Sequence, residues 1–218
     1  MKMLNRLAAL SGLAASVLMV AGGVVADTWR TGLDPDPTDP SSLIAQALVM
    51  HRGSIRLGAQ LLLPASFLFL WFASYLHGRL RRDAVNVWAP ALVLGGGVVL
   101  SALLLVESGF AYAASELSDY SGDTQVAKVF LVWGWNSANL SAPALAAILL
   151  GSGIAGLSEG TLPRWLAWFA VGMFAISSLL AFGLATPGLA TAVAIVWIAV
   201  ASLILTFSTE AVSQPSII

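Results

Sequence analysis

The stretch Leu57-Gly-Ala-Gln-Leu-Leu-Leu-Pro-Ala-Ser-Phe-Leu-Phe-Leu-Trp-Phe-Ala-Ser-Tyr-Leu76 contains no Asp, Glu, Lys, Arg or His, and is followed at once by His77-Gly-Arg-Leu-Arg-Arg82. A helix needs about 20 mainly apolar residues to cross the hydrocarbon core of a bilayer. Such a helix pairs its backbone polar groups within itself, which lipid cannot do for it. Strands of a membrane barrel would instead alternate polar and apolar residues. The stretch therefore predicts a crossing helix. The Arg79, Arg81, Arg82 cluster marks its cytoplasmic end, because short basic flanks close to a membrane are retained inside.

Working outward, five further segments have the same character: Leu7–Ala26, Trp88–Glu107, Val129–Leu150, Trp165–Ala185 and Leu189–Phe207. The chain of 218 residues is 58% hydrophobic and 10% charged, with a mean hydropathy of +0.88. A water-soluble domain carries about a quarter charged residues, so most of this surface is built to face lipid. The expectation is an all-α integral membrane protein, one bundle over 1–218 with six transmembrane helices and membrane lipids as its first partners. A net charge of -1 argues against nucleic acid, which needs a clustered basic face. The absence of cysteine excludes disulfides, thiolate metal sites and Cys nucleophiles.

With both termini cytoplasmic, Lys2, Arg6, Arg79, Arg81, Arg82 and Arg164 fall inside, and Arg30, Arg52, Arg56 and Lys128 outside. The acidic residues agree: Asp27, Asp34, Asp36, Asp39, Glu107, Glu116, Asp119 and Asp123 lie outside, against Asp83, Glu159 and Glu210 inside. The first segment has two readings. Lys2, Arg6 and an apolar run ending Val24-Val-Ala26 fit a retained helix, or a secretory signal peptide cleaved near Ala26. The external loop 27–54 carries prolines at 35, 37 and 40, which forbid regular structure. Ser41 or Ser42 is then placed to cap a short helix through Leu43–Met50. A second, acidic external loop spans Ser108–Ala127, and Thr186-Pro-Gly188 predicts a tight turn between the last two helices.

Two cytoplasmic hairpins echo each other at an offset of 77 residues. Leu80 and Trp88 match Leu157 and Trp165, Gly95 matches Gly172, Ser101 matches Ser178, and the preceding helices carry Pro64 and Pro143. The spacing fits either a core of two repeated helical hairpins or coincidence among residues common in membrane helices. Ala8, Gly12 and Ser16 on the first helix, Gly97 and Ser101 on the third, and Ala190, Ala194 and Ala201 on the sixth supply small faces for close helix approach.

Polar residues inside apolar helices are candidates for function, since lipid burial is costly. Arg52, Arg56 and Gln60 share an arc of about 80° on one helix. Glu107 ends the third helix at the same level, and Asn136 and Asn139 share a face of the fourth. One reading is an outward-facing pocket. Arg52 and Arg56 would bind an anionic group through guanidinium forks, with Glu107 as their partner and Gln60, Asn136 and Asn139 as a polar floor. The other reading is structural: snorkelling arginines and asparagines that bridge helices.

His51 and His77 lie 26 residues apart, about 39 Å along a helix, so they cannot share a metal. Asp34, Asp36 and Asp39 lack the glycine turn and closing glutamate of a calcium loop. Gly151-Ser-Gly153 has no histidine beside it to activate a serine, and its glycines, with Gly156, are placed to end the fourth helix. No phosphate-binding loop is present. No metal, cofactor or catalytic residue is expected. Trp29, Trp88, Trp133 and Trp165 fit an aromatic belt, while Trp71 and Trp197 fit packing positions.

Gly151-Ser-Gly-Ile-Ala-Gly156, followed by Gly160-Thr-Leu-Pro-Arg-Trp-Leu-Ala-Trp168, resembles the cytoplasmic hairpin of small uncharacterised bacterial six-helix multispanning membrane proteins. In those, a Leu-Pro-Arg-Trp-Leu-Gly-Trp-type segment opens the penultimate helix; here Ala167 stands where Gly is typical. The likeness spans residues 129–207. It implies a multi-pass protein of the bacterial inner (plasma) membrane, with no catalytic residues to carry over. The function expected is that of a non-enzymatic accessory or scaffold subunit in a larger membrane complex, with other membrane subunits as partners. The alternatives are a transporter or binder of a small anionic amphiphile or lipid, and an intramembrane enzyme.

Overall fold

A computed structural model describes residues 2–27, 41–81, 87–120, 124–179 and 187–211, and these are helical apart from short turns, with no strand among them. The helices are α1 (Lys2–Asp27), α2 (Ser41–Leu80), α3 (Trp88–Tyr120), α4 (Thr124–Glu159), α5 (Arg164–Leu179) and α6 (Pro187–Ala211). Four contain a stretch long and apolar enough to cross a membrane: Met3–Val25, Leu48–Leu80, Trp88–Leu117 and Leu140–Glu159. Two shorter apolar stretches, Arg164–Leu179 and Thr191–Phe207, follow.

Several boundaries differ from the sequence reading, each for a local reason. Residues 51–54 belong to α2 and not to a loop, because nothing between Ser41 and Pro64 forbids a helical backbone. Pro64 itself sits inside α2 and Pro143 inside α4. Each lacks the N–H of one helical rung. The expected acidic loop Ser108–Ala127 is largely helix. Ala111, Ala113 and Ala114 favour helical continuation, so α3 runs on to Tyr120 and α4 begins at Thr124. Pro187 and Gly188 open α6 rather than forming a turn; proline fits a first helical position, where its missing N–H has no partner to lose. The Asp34, Asp36 and Asp39 loop, with Trp29, Arg30, Arg82 and Asp83, lies outside the described residues.

Gly151, Gly153 and Gly156 do not end α4, which continues to Glu159. They serve as contact points. A Cβ on Gly151 would lie 2.5 Å from the Ala89 carbonyl oxygen, and one on Gly156 2.7 Å from the Ala167 Cβ. The stop is Gly160, whose φ of +65° is a left-handed conformation that side chains other than glycine resist. The Pro163 carbonyl then accepts from the N–H groups of Leu166 and Ala167 and starts α5.

The chain divides into two compact units. One comprises Met1–Ser16, Phe67–Ser101 and Ser141–Ile218; the other comprises Val17–Ser66 and Ala102–Leu140. In the first unit α1 meets α2 where Gly12 faces the Phe72 ring, at 2.6 Å from a would-be Cβ. Small residues also join α2 to α3 (Gly97 on Ala73) and α3 to α4 (Gly96 on the Ala144 carbonyl). Trp197 is fully buried on α6 and its Nε1–H donates to the Leu166 carbonyl of α5. His77 Nδ1 bonds the Pro90 carbonyl at 2.9 Å, fastening the end of α2 to the start of α3. Because that carbonyl only accepts, Nδ1 carries the proton. The positions of the hairpin echo are partly alike: Trp88 and Trp165 are both exposed, and Gly95 and Gly172 both border open space.

In the second unit Gly22 of α1 approaches the Gly58 carbonyl of α2. Ser108 of α3 donates to the Ala59 carbonyl of α2 at 2.8 Å. Leu48, Ile55 and Ala114 form a buried cluster, with Ala111, Leu117 and Phe130 packed against it.

Candidate functional site

The group centred on Arg56 lies in this second unit. On α2, burial of Ile55, Ala59 and Leu62 fixes which face meets α3. Arg56 falls at the edge of that face, half-buried, while Arg52 and Gln60, one turn away on either side, are exposed. The polar arc is therefore real as a spacing, and Arg56 is the member of it that reaches Glu116 and Tyr112 of α3.

The Arg56 guanidinium is held by α3. Its Nη2 forms a charge-assisted hydrogen bond with Glu116 Oε1, and its Cζ lies 5.4 Å from the centroid of the Tyr112 ring. Tyr112 and Glu116 are one helical turn apart, so they address the same guanidinium from successive positions. The two charged side chains keep 37% and 35% of their surface exposed. Solvent therefore weakens their attraction, and a surface-like pair of this kind contributes about 0–1 kcal/mol. Unpaired, each charge would cost more if the surroundings are hydrocarbon, about 3 kcal/mol on insertion scales. The pair is better understood as making two polar groups tolerable than as a source of stability. One part of Arg56 is enclosed despite the exposure of the rest: Nε is buried and has no hydrogen-bond partner.

The sequence expectation paired the arginines with Glu107. Arg56 takes Glu116 instead, nine residues further along α3. Glu107 sits half-buried inside α3 rather than at its end. Sequence reading missed Glu116 because it placed the end of the helix at Glu107. The signal was present in the helix-favouring run Ala111–Glu116, with Tyr112 and Glu116 at i, i+4. Asn136 and Asn139 fall within α4, but their side chains lie outside the described residues, as does that of Lys128.

The same unit also holds a cluster of aromatic rings between α3 and α4. Phe110 of α3 lies 5.6 Å from Phe130 and 6.4 Å from Trp133, both of α4, between ring centroids and in tilted arrangements. Such geometry suits the ring quadrupoles. No group of three or more His, Asp or Glu side chains able to hold a metal occurs among the described residues.

Fold and site together define an all-helical protein with four helices of membrane-crossing length and an arginine–glutamate–tyrosine cluster between two of them. No protein-family model, curated protein or solved structure matches the chain.

Proposed function

We propose that this is a six-crossing protein of a bacterial inner membrane, with both termini cytoplasmic, acting as a non-enzymatic scaffold or accessory subunit. The observation that carries the reading is the closure of Arg56. The arginine that could anchor a ligand already holds Glu116 and lies against Tyr112. The hydroxyls of Ser66, Ser108 and Ser115 are likewise turned to backbone carbonyls. Polar groups so arranged stabilise a bundle and leave its apolar outer faces for lipid or neighbouring subunits. Exposed Val17, Val20, Val24, Leu63, Phe67, Val98, Val99, Leu105 and Phe207 supply such faces.

The crossings beyond the four long helices rest on two facts. Helix α6 runs for 25 residues in all, and α5 is apolar over its 16 residues. The retained reading of α1 is preferred, since Ala8, Ala9, Ser11, Gly12 and Ala15 are buried.

Purification in mild detergent followed by native mass spectrometry tests the subunit reading. The expected result is a stable complex with one or more membrane proteins in fixed ratio. A lone monomer at every detergent tested would sink it. The second reading, a binder of anionic amphiphiles, draws on the exposed Arg52 and the unpartnered Arg56 Nε. It requires retained anionic lipid that R52Q/R56Q loses.

A further inference from the structure

One backbone rung of helix α1, which runs unbroken from Lys2 to Asp27, is reached by a side chain of α6 within the first unit. In an α-helix the N–H of residue 13 pairs with the C=O of residue 9. Here the Leu13 N–H donates to Ser202 Oγ at 2.8 Å, and the Ser202 hydroxyl donates to the Ala9 carbonyl oxygen. A single side chain from α6 thus addresses both ends of one rung of α1. Ser202 is fully buried, as are Ala9 and its own neighbour Ala201. Thr206 bonds back to the Ser202 carbonyl at 2.8 Å, securing the α6 backbone at that point. On another side of the same α1 turn, Gly12 admits the Phe72 ring of α2.

We propose that Ser202 is a latch: α6 is held on α1 by a hydroxyl that bridges the Ala9–Leu13 rung. The chemistry gives the latch two states. While α6 is docked, the hydroxyl serves both backbone groups. When α6 moves away, Leu13 N–H and Ala9 C=O still face each other as helical partners, so release strands no polar group of α1. The Ser202 hydroxyl, which loses both partners, can turn to a carbonyl of its own helix one turn back, so the exit costs less than rupture of a buried hydrogen bond that strands a donor or an acceptor. A larger apolar side chain at 202 would be the worst occupant. It would press on the same rung with no group to bond to it, so α6 would lose its hold on α1 and be pushed off by the added bulk.

The chain has no native cysteine, so paired spin labels read the docking directly. Leu10 of α1 and Leu203 of α6 are both partly exposed, at 38% and 39%, and flank the latch. Labels on Leu10→Cys and Leu203→Cys in the otherwise unaltered chain should give one narrow distance distribution in bilayers. S202T, which keeps the hydroxyl, should preserve it. S202A should broaden it, and S202V should add a second, longer-distance population, with helix content by circular dichroism unchanged in both. Distributions for S202A and S202V that match the unaltered latch would overturn the proposal, as would an S202T distribution as broad as that of S202A. If S202V does not accumulate, the comparison of S202A with S202T decides alone.

Discussion

The two compact units are held together by different means. In the first, helices approach through missing side chains: Gly12 under Phe72, Gly96 under the Ala144 carbonyl, Gly151 under the Ala89 carbonyl. Hydroxyl and indole groups then bond directly to neighbouring backbone, as at Ser202 and Trp197. In the second, larger side chains meet: an arginine, a glutamate and a tyrosine between α2 and α3, and three aromatic rings between α3 and α4. Close backbone packing tolerates almost no added volume, whereas a side-chain cluster on a partly exposed face can adjust. The first unit should therefore be brittle to enlargement, and the second sensitive to charge.

The largest effect should come from enlarging a glycine that faces backbone. Gly151→Leu would drive its side chain into the Ala89 carbonyl, 2.5 Å from the Cβ position, and should cost about 3 kcal/mol. The expected readout is a strongly lowered melting midpoint in mild detergent, or failure to accumulate. A midpoint equal to the parent's would mean that α3 and α4 are not in contact there.

Next in size is the ion pair. E116Q alone leaves Arg56 without its carboxylate and should cost about 1–2 kcal/mol after discounting for solvent. The double variant R56M/E116L should recover most of that, because removing both partners strands neither. A double-mutant cycle checks this, and additive losses would show that the two side chains act independently.

How much of this was legible from residues alone depends on the kind of feature. The helices declared themselves, since apolar runs of crossing length have few other outcomes. The start of α3 at Trp88 was also read correctly. The small residues Ala8, Gly12 and Ser16 were identified as a contact face, and all are buried. Helix ends were less legible. Gly151, Gly153 and Gly156 look like a stop signal, yet they are contact points, because glycine inside a membrane helix admits a neighbour as readily as it ends a turn. The Glu116 partner was hidden by the same kind of error, a helix ended too early at Glu107. Ser202 could not have been singled out: serine is ordinary in such helices, and its two partners lie at the other end of the chain.

A smaller effect is expected at Ser108, whose hydroxyl donates to Ala59 O in the second unit. S108A should cost about 0.5–1 kcal/mol, in line with single hydrogen bonds between membrane helices. A loss several times larger would move Ser108 from a supporting bond to a principal one.

The smallest effects, and of opposite sign, belong to glycines that face nothing. Gly95→Ala and Gly172→Ala add a Cβ into open space and remove backbone freedom, so stability should hold or rise by up to about 1 kcal/mol. Gly96→Ala, one residue along, meets the Ala144 carbonyl at 2.6 Å and should fall. Opposite signs at adjacent glycines in one melting series would establish which face of α3 is packed.

The Ser202 bridge also has a consequence in time. Its two partner helices are separated by 193 positions in the chain, and translation proceeds at about 5–20 residues per second. Helix α1 therefore waits roughly 10–40 s for α6 to be made. Throughout that interval the face of α1 around Ala9 and Leu13 lacks its α6 neighbour. Factors that assist membrane insertion would meet that face of α1 in the nascent chain before α6 does.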